Sequence, residues 1–467
     1  MPARAAGSDA RPSFRVPALL LLVVLAARLP SLFPSVIDWD ESTFILIGQS
    51  WADGHLPFTE LWDLKGPLAF APFALAIELF GRSIVGVRLV GALIVLLTAY
   101  TVYHLFLRLF GAAGSLAGAV FTTLAISAAP AGGAVMSETV AILPLTLAAL
   151  AISEGERRPL AGAAAGFAVS LATLVRPNLG LCALALGLFG LLAGRRRSLG
   201  QRAAWAIAYG LGGTLPVLIL ALLYAWDGHL PLLTQSVFGP ALAYATTNLA
   251  ASEVGSTLAT GVLERLTTLR NLPYQVVGGA LALAFGRLAH CWRRLDDRQQ
   301  ELVLLNATLS LTVMVSILVG GQAWLHYLIQ LLPFACPLIG IMLAPALTPL
   351  PHRPRLAAFA TALVLLAASV PSAAGYLELA QKLRAHGTPF ADPGYQTTNF
   401  LGQRLAPDDR VLFLSHHIAG WLLGRRPIDR IVHPSNLARD EHVPVPGKLL
   451  SILESRPRFV VVSERRR

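Results

Sequence analysis

The stretch IDWDESTFILIGQSWADGHLPFTELWDLKGPLAFAPFALAIELFGRSIVGVR, residues 37–88, decides how this chain is read. It follows directly on a long apolar run, Val16 to Phe33, and holds the densest set of polar residues in an oily sequence. Asp38, Asp40 and Glu41 come first. Phe44, Ile47 and Trp51 then recur at helical spacing until Gly54, which predicts a short amphipathic helix led by an acid pair. Glu60, Asp63 and Lys65 follow, and Gly66-Pro67 opens a second apolar run. Proline suits a first helical position because its missing amide would have no partner there. Residues 67–80 are apolar but too few to cross a hydrocarbon core about 30 Å thick. The stretch therefore reads as two helices lying along a membrane face, a carboxylate leading one and an ammonium leading the other.

Working outward, the composition supports that setting. Hydrophobic residues make up 55% of the chain, charged residues 13%, and the mean hydropathy is +0.62. Soluble domains carry about 25% charged residues, so the protein reads as integral to a membrane. About eleven apolar segments approach the length a spanning helix needs, near 16–33, 84–106, 114–132, 138–153, 159–175, 179–193, 204–225, 273–290, 302–320, 325–345 and 355–373. The first is long, and the IDWDES after it has no small-residue cleavage pattern, so it reads as a span rather than a leader. Cys182, Cys291 and Cys336 lie in or beside apolar segments with no C-x-x-C pair, and read as packing residues. The net charge of +11 does not imply nucleic acid. Arginine clusters at Arg4/Arg11/Arg15, Arg157-Arg158, Arg195 to Arg197, Arg293-Arg294 and Arg353/Arg355 fall in alternate loops, the positive-inside pattern.

The expected architecture is an all-α polytopic membrane protein. Residues 1–15 form a cytoplasmic tail and 16–373 a transmembrane domain, with a first outer loop at 34–83 and a long one at 227–272. Residues 374–467 form a small extracytoplasmic α/β region, in which DDRVLFLSHH and PRFVVVSE read as strands and IAGWLLGRRP as a helix. Nothing in that region looks catalytic. His416, His417 and His433 read as surface histidines in preference to a metal site. The location implied is the inner (plasma) membrane, multi-pass.

On this topology the unusual charged residues collect at outer helix ends: Asp38, Asp40, Glu41 and Lys65, then Glu138 in VMSET, Arg176 in LVRPN and His326-Tyr327 in WLHYLIQLLP. Ionisable groups at such depth are functional candidates by default. Asp40 and Glu41 lead a helix whose partial positive charge favours ionised carboxylates, and an ionised carboxylate can take the proton of an attacking hydroxyl. Lys65 and Arg176 can hold an anionic leaving group, most simply a phosphate. Glu138, His326, Tyr327 and Asp63 are placed to orient a sugar or its acceptor. There is no Walker A motif and no G-x-G-x-x-G after a strand, so an energised group on a lipid phosphate suits the site better than a nucleotide sugar. Trp39, Trp51, Trp62 and Trp324 read as an interfacial belt.

At these residues the chain resembles the GT-C class glycosyltransferases that use polyprenyl- or dolichyl-phosphate sugars, and within it the protein O-mannosyltransferase and lipid A aminoarabinose transferase superfamily. That pattern has a D-E pair in the first outer loop, then G-x-x-P-[FY], K-x-P, F-G-x-S and an arginine. Here it reads Asp40-Glu41, Gly54-His55-Leu56-Pro57-Phe58, Lys65-Gly66-Pro67, Phe80-Gly81-Arg82-Ser83 and Arg88. Glu138, Arg176 and His326-Tyr327 with Pro333 resemble later motifs more loosely. The resemblance implies a sugar transferase acting on the outer, periplasmic face, with Asp40 as base, Lys65 on the lipid phosphate and inversion at the anomeric carbon. It implies a lipid carrier, loaded as a polyprenyl-phosphate sugar, as partner and a glycan, lipid or protein as acceptor. Leu64 stands where the aminoarabinose transferase has an acid, and Glu138 replaces the more usual aspartate; the sugar and any need for a divalent metal stay open, as does the oligomeric state. A transporter or flippase of lipid-linked sugars is the alternative, but it favours charges near the bilayer midplane and broken helices, whereas these sit at a rim. A non-catalytic membrane subunit is the third reading.

Overall fold

The computed structural model describes residues 14–154, 158–192, 198–237, 272–319, 324–344, 347, 352–433 and 452–462. Arg4, Arg11, Arg157, Arg195 to Arg197, most of the 227–272 loop and residues 320–323 lie outside these.

Apolar length and breaking residues account for the order of elements. Helix α1 (Arg15–Arg28) runs on into a 3-10 turn, Leu29–Leu32. Helix α2 (Trp39–Ala52) begins where the Asp38 carboxylate accepts the Asp40 amide at 2.9 Å, satisfying one of the donors a helix start leaves orphaned. Its approach to α3 (Ala71–Phe80) passes through a 3-10 turn at Pro67–Ala69, so the second helix starts a few residues later than Gly66-Pro67 suggests. Helix α4 (Ile84–Ala128) is 45 residues long but broken at Gly111, where φ is +70°. Glycine takes that left-handed geometry without steric cost, and the break lets one element hold both apolar segments expected near 84–106 and 114–132.

Helices α5 (Ser137–Glu154), α6 (Pro159–Val175), α7 (Gly180–Leu192), α8 (Leu199–Trp226), α9 (Leu272–Cys291) and α10 (Asp297–Val319) follow. The segment Leu325–Met342, expected as one helix, is two 3-10 runs around a single α turn at Leu332–Ala335. Pro333 and Pro337 remove amide donors there. Helix α11 (Pro354–His386) carries on past 374, so the last span does not end at the boundary expected for it.

Among the described residues, six stretches are long and apolar enough to cross a membrane: α1 with its turn, α4, α8, α10, Leu325–Met342 and α11. Ser137–Ser153, Pro159–Val175 and Pro177–Leu192 are apolar but shorter, at 10–17 residues. The protein is thus a polytopic, nearly all-helical membrane protein, with a core running from Phe44, Phe70 and Phe73 to Phe106 and Phe110.

After α11 come α12 (Pro393–Gly402), β1 (Val411–Phe413), α13 (Ile418–Leu422) and β2 (Phe459–Val461), matching the strand, helix and strand read from this region. The strands pair in parallel, Val411 opposite Phe459. This region does not stand apart. Trp62 of the first loop bridges to Ile431, and its amide donates to the Arg430 carbonyl at 2.9 Å.

One expectation is corrected here. Helix α2, expected to be amphipathic, is enclosed by protein, because Phe44, Ile45, Leu46, Ile47 and Gly48 are all buried. Phe44 meets the edges of Phe70 and Phe73 at 5.6 and 5.8 Å on one side, and α13 covers another. The covering helix lies several hundred residues away in sequence, so local periodicity carried no sign of it.

Candidate functional site

The site is assembled from chain segments at one end of the bundle. Asp40 lies in the first turn of α2, where it meets two cations or potential cations. Its Oδ2 is 3.4 Å from Lys65 Nζ and its Oδ1 is 3.2 Å from His433 Nε2. Asp40 and Lys65 keep 21% and 18% of their side-chain surface open, so the pair is accessible to a ligand.

Lys65 is held in place by the residue after it. The Gly66 amide donates to the Val175 carbonyl at 3.1 Å, and a Cβ on Gly66 would sit 2.0 Å from the Leu174 carbonyl oxygen. Only glycine allows the loop to lie this close to the end of α6, and the next residue out of α6 is Arg176. Arg176 is buried and ion-paired with Glu138. It donates to Ser137 Oγ at 2.8 Å and stacks over the Tyr327 ring, 4.6 Å from its centroid. His326 Nε2 closes the group, 4.0 Å from Glu138 Oε1.

Asp63 sits two residues before Lys65, only 3% exposed. Its Oδ1 accepts the Leu64 amide at 2.6 Å, while Oδ2 is buried without a hydrogen-bond partner.

The electrostatics join these residues into one unit. Burial alone would raise the Asp40 carboxyl, but the Lys65 ammonium and the hydrogen bond from His433 hold it well below the usual carboxylate range. Burial would lower the Lys65 ammonium, yet Asp40, with Tyr327 and Asp63, keeps it above the ordinary amine range, Arg176 opposing. Burial pushes the Asp63 carboxyl up, against the pull of Lys65. The His433 ring is opposed by burial but raised by the bond to Asp40 and the charge of Asp63.

The arrangement brings together Asp40, Asp63, Lys65, Glu138, Arg176, His326 and Tyr327. Glu41 is elsewhere. Its carboxylate is fully buried and takes Arg88 Nε at 3.2 Å, the Arg88 Nη2 at 2.8 Å and the Val135 amide at 2.8 Å. Arg88 also donates to the Ser31 and Pro34 carbonyls. Neighbouring helix positions do not face the same way, so the acid pair divides: Asp40 faces the site, and Glu41 fastens the first loop to α4 and α5.

His433 is the residue that sequence reading missed, and His417 is a further correction to the surface assignment. His417 is 3% exposed, with Nε2 3.3 Å from Thr43 Oγ1. No local pattern marks either residue; both are set by how the C-terminal region docks. Among the described residues no group of three or more His, Cys, Asp or Glu side chains is arranged to hold a metal ion.

Comparison with known proteins bears on what this geometry serves. Residues 64–222, which include Lys65, Glu138 and Arg176, match the family described as dolichyl-phosphate-mannose-protein mannosyltransferase. No curated protein matches the sequence. Among solved structures, ArnT from Cupriavidus metallidurans in its apo state superposes with a TM-score of 0.56 at 16% identity, covering 89% of this chain and 84% of that one. ArnT bound to undecaprenyl phosphate gives 0.57 at 15%, covering 92% and 88%. The oligosaccharyltransferase of Archaeoglobus fulgidus, in complex with Zn and sulfate, gives 0.52 at 15%, covering 89% and 62%. At these identities the likeness is one of fold. The chain thus has the fold that ArnT and the oligosaccharyltransferase share, and the segment that carries Lys65, Glu138 and Arg176 is similar in sequence to the mannosyltransferase family.

Proposed function

We propose that the protein transfers a sugar from a polyprenyl-phosphate carrier to an acceptor hydroxyl at the outer, periplasmic face of the plasma membrane, with inversion at the anomeric carbon. One observation carries the reading: a solvent-accessible carboxylate, Asp40, lies 3.4 Å from the Lys65 ammonium, with Arg176 close behind. That juxtaposes a proton acceptor and cations for a phosphate.

In the proposed reaction the Asp40 carboxylate takes the acceptor's O–H proton as that oxygen bonds to the anomeric carbon. The bond from that carbon to the phosphate oxygen breaks in the same step, and its electron pair leaves with the lipid phosphate. Lys65 and Arg176 offset the charge that develops there, the point at which fixed cations aid a transfer most. Paired with Lys65, Asp40 is a weak base. A donor phosphate drawn onto Lys65 divides the ammonium between two anions, which returns basicity to Asp40 when substrate is bound. Glu138, His326, Tyr327 and Asp63 then orient the sugar and acceptor, and Glu41 acts on the site only by holding α2 in place.

Asp40→Asn tests this. In membranes supplied with labelled polyprenyl-phosphate mannose it should reduce turnover by about 100-fold or more, the usual size of a lost general base, while polyprenyl phosphate still binds. Undiminished turnover sinks the assignment, and preserved movement of the lipid across the bilayer without sugar transfer would favour a flippase.

A further inference from the structure

We propose that His433, delivered by the C-terminal region, is a positioning residue for the transfer, which receives from Asp40 the proton taken off the acceptor. This rests on Asp40 being the base. The reasons are geometric. A carboxylate pinned between a lysine and a histidine has two neighbours with opposite abilities: Lys65 carries three donors and no lone pair, whereas a neutral imidazole accepts. The His433 Nε2 lies within hydrogen-bond reach of Asp40 Oδ1, at 3.2 Å, while Lys65 addresses the other oxygen, Oδ2. His433 keeps 12% of its side-chain surface open, so a proton on the ring can exchange with solvent. The edge of its ring meets Trp39 at 6.5 Å between centroids, which fixes the ring's plane beside the start of α2.

The backbone around it is also fixed. The Trp62 amide bonds to the Arg430 carbonyl, the Arg430 guanidinium donates to the Phe58 carbonyl, and Trp62 bridges to Ile431. Three links within four residues of His433 hold this segment against the loop that carries Asp63 and Lys65. A histidine on an independently moving tail would not be held in this way.

The proton balance is simple. Asp40 gains the acceptor's proton as the glycosidic bond forms and the phosphate leaves with the electron pair. His433 in its neutral Nδ1–H form takes that proton on Nε2 and loses the Nδ1 proton to water, leaving Asp40 ionised with Nε2–H donating to it; exchange of the ring protons through water then restores the Nδ1–H form for the next cycle. No oxidant, metal or further reactant is needed. Among the described residues, the titratable groups that act on the ring include Asp40, Asp63, Lys65 and His417. At low pH the ring holds both protons and can only donate to Asp40. As pH rises through its raised pKa the ring becomes able to accept, so turnover should climb with pH over that range.

The test uses the full-length protein in native membranes, which supply the acceptor, with labelled polyprenyl-phosphate mannose and release of polyprenyl phosphate as the readout. His433→Gln keeps a donor for Asp40 but cannot accept a proton. Its kcat should fall by about 10- to 100-fold, at the lower end of what proton handling contributes, with KM for the donor unchanged and the rising limb of kcat against pH abolished. His433→Ala should regain part of its rate with added imidazole. A His433→Gln enzyme with wild-type kcat overturns the proposal. So does one that is slower but keeps the rising limb, since a purely structural histidine would behave that way. If Asp40→Asn is inactive in the same membranes, only the role of His433 falls; if it is active, the base assignment falls as well.

Discussion

Two adjacent carboxylates, Asp40 and Glu41, show how one turn of helix separates chemistry from architecture. Glu41 and Arg88 are buried at 1% and 0% exposure, with hydrogen bonds on both partners. Removing one member of such a pair strands the other charge in a low-dielectric interior, which typically costs 3–5 kcal/mol. Glu41→Gln should therefore lower thermal stability in detergent by roughly that amount, and so should Arg88→Met, whereas Asp40→Asn should leave the melting temperature close to wild type. Equal destabilisation by Asp40→Asn would mean that its ion pair with Lys65 is also structural. Sequence reading set Asp40 and Glu41 side by side as a catalytic pair, since nothing in the D-E dipeptide says which residue faces a pocket. That information lies in Arg88, in the Ser31 and Pro34 carbonyls and in the Val135 amide, which only the fold brings together.

At the scale of elements, the first loop was the most legible part of the chain. The acids of IDWDES predict the start of α2, Gly54 marks where it has ended, and proline marks the turn before α3. Lys65, Glu138 and Arg176 were legible because charged residues at helix ends in an apolar chain have few structural reasons to be there. What the sequence did not disclose was the contact between the 65–67 turn and the end of α6. Gly66 is the pivot of that contact, so Gly66→Ala would force its methyl into the Leu174 carbonyl oxygen, 2.0 Å away. The turn would have to lift and carry Lys65 away from Arg176. The expected result is a protein that inserts and folds but binds polyprenyl phosphate at least about 10-fold more weakly, equivalent to one charge-assisted contact. Titration of the lipid against the purified variant would show this, and wild-type affinity would refute the coupling.

Across the whole molecule, the C-terminal region and the first loop form one surface although they lie at opposite ends of the chain. Trp421 Nε1 donates to Gln49 Oε1 at 3.0 Å, Asp392 accepts the Ser35 amide at 2.6 Å, and His417 meets Thr43. His417 also sets how that surface responds to acid. Burial, with the charge of His433 adding to it, lowers its pKa to about 3. The ring is neutral when docked but takes a proton near 6.5 when released. The released form binds more protons between those values, so docking is fully favourable above about 6.5 and weakens as pH falls toward 3. Limited proteolysis of the 388–433 segment should accelerate on going from pH 7.5 to pH 5, and His417→Gln should flatten that dependence. A slope unchanged in the variant would place the acid sensitivity elsewhere.

The bridge from Trp62 to Ile431 reaches back across almost the entire polypeptide. A nascent chain with every spanning helix inserted still lacks the strip that packs on its first loop, because that strip follows those helices in the sequence. In such a partly made molecule Asp40 has Lys65 beside it but still lacks its second partner, His433.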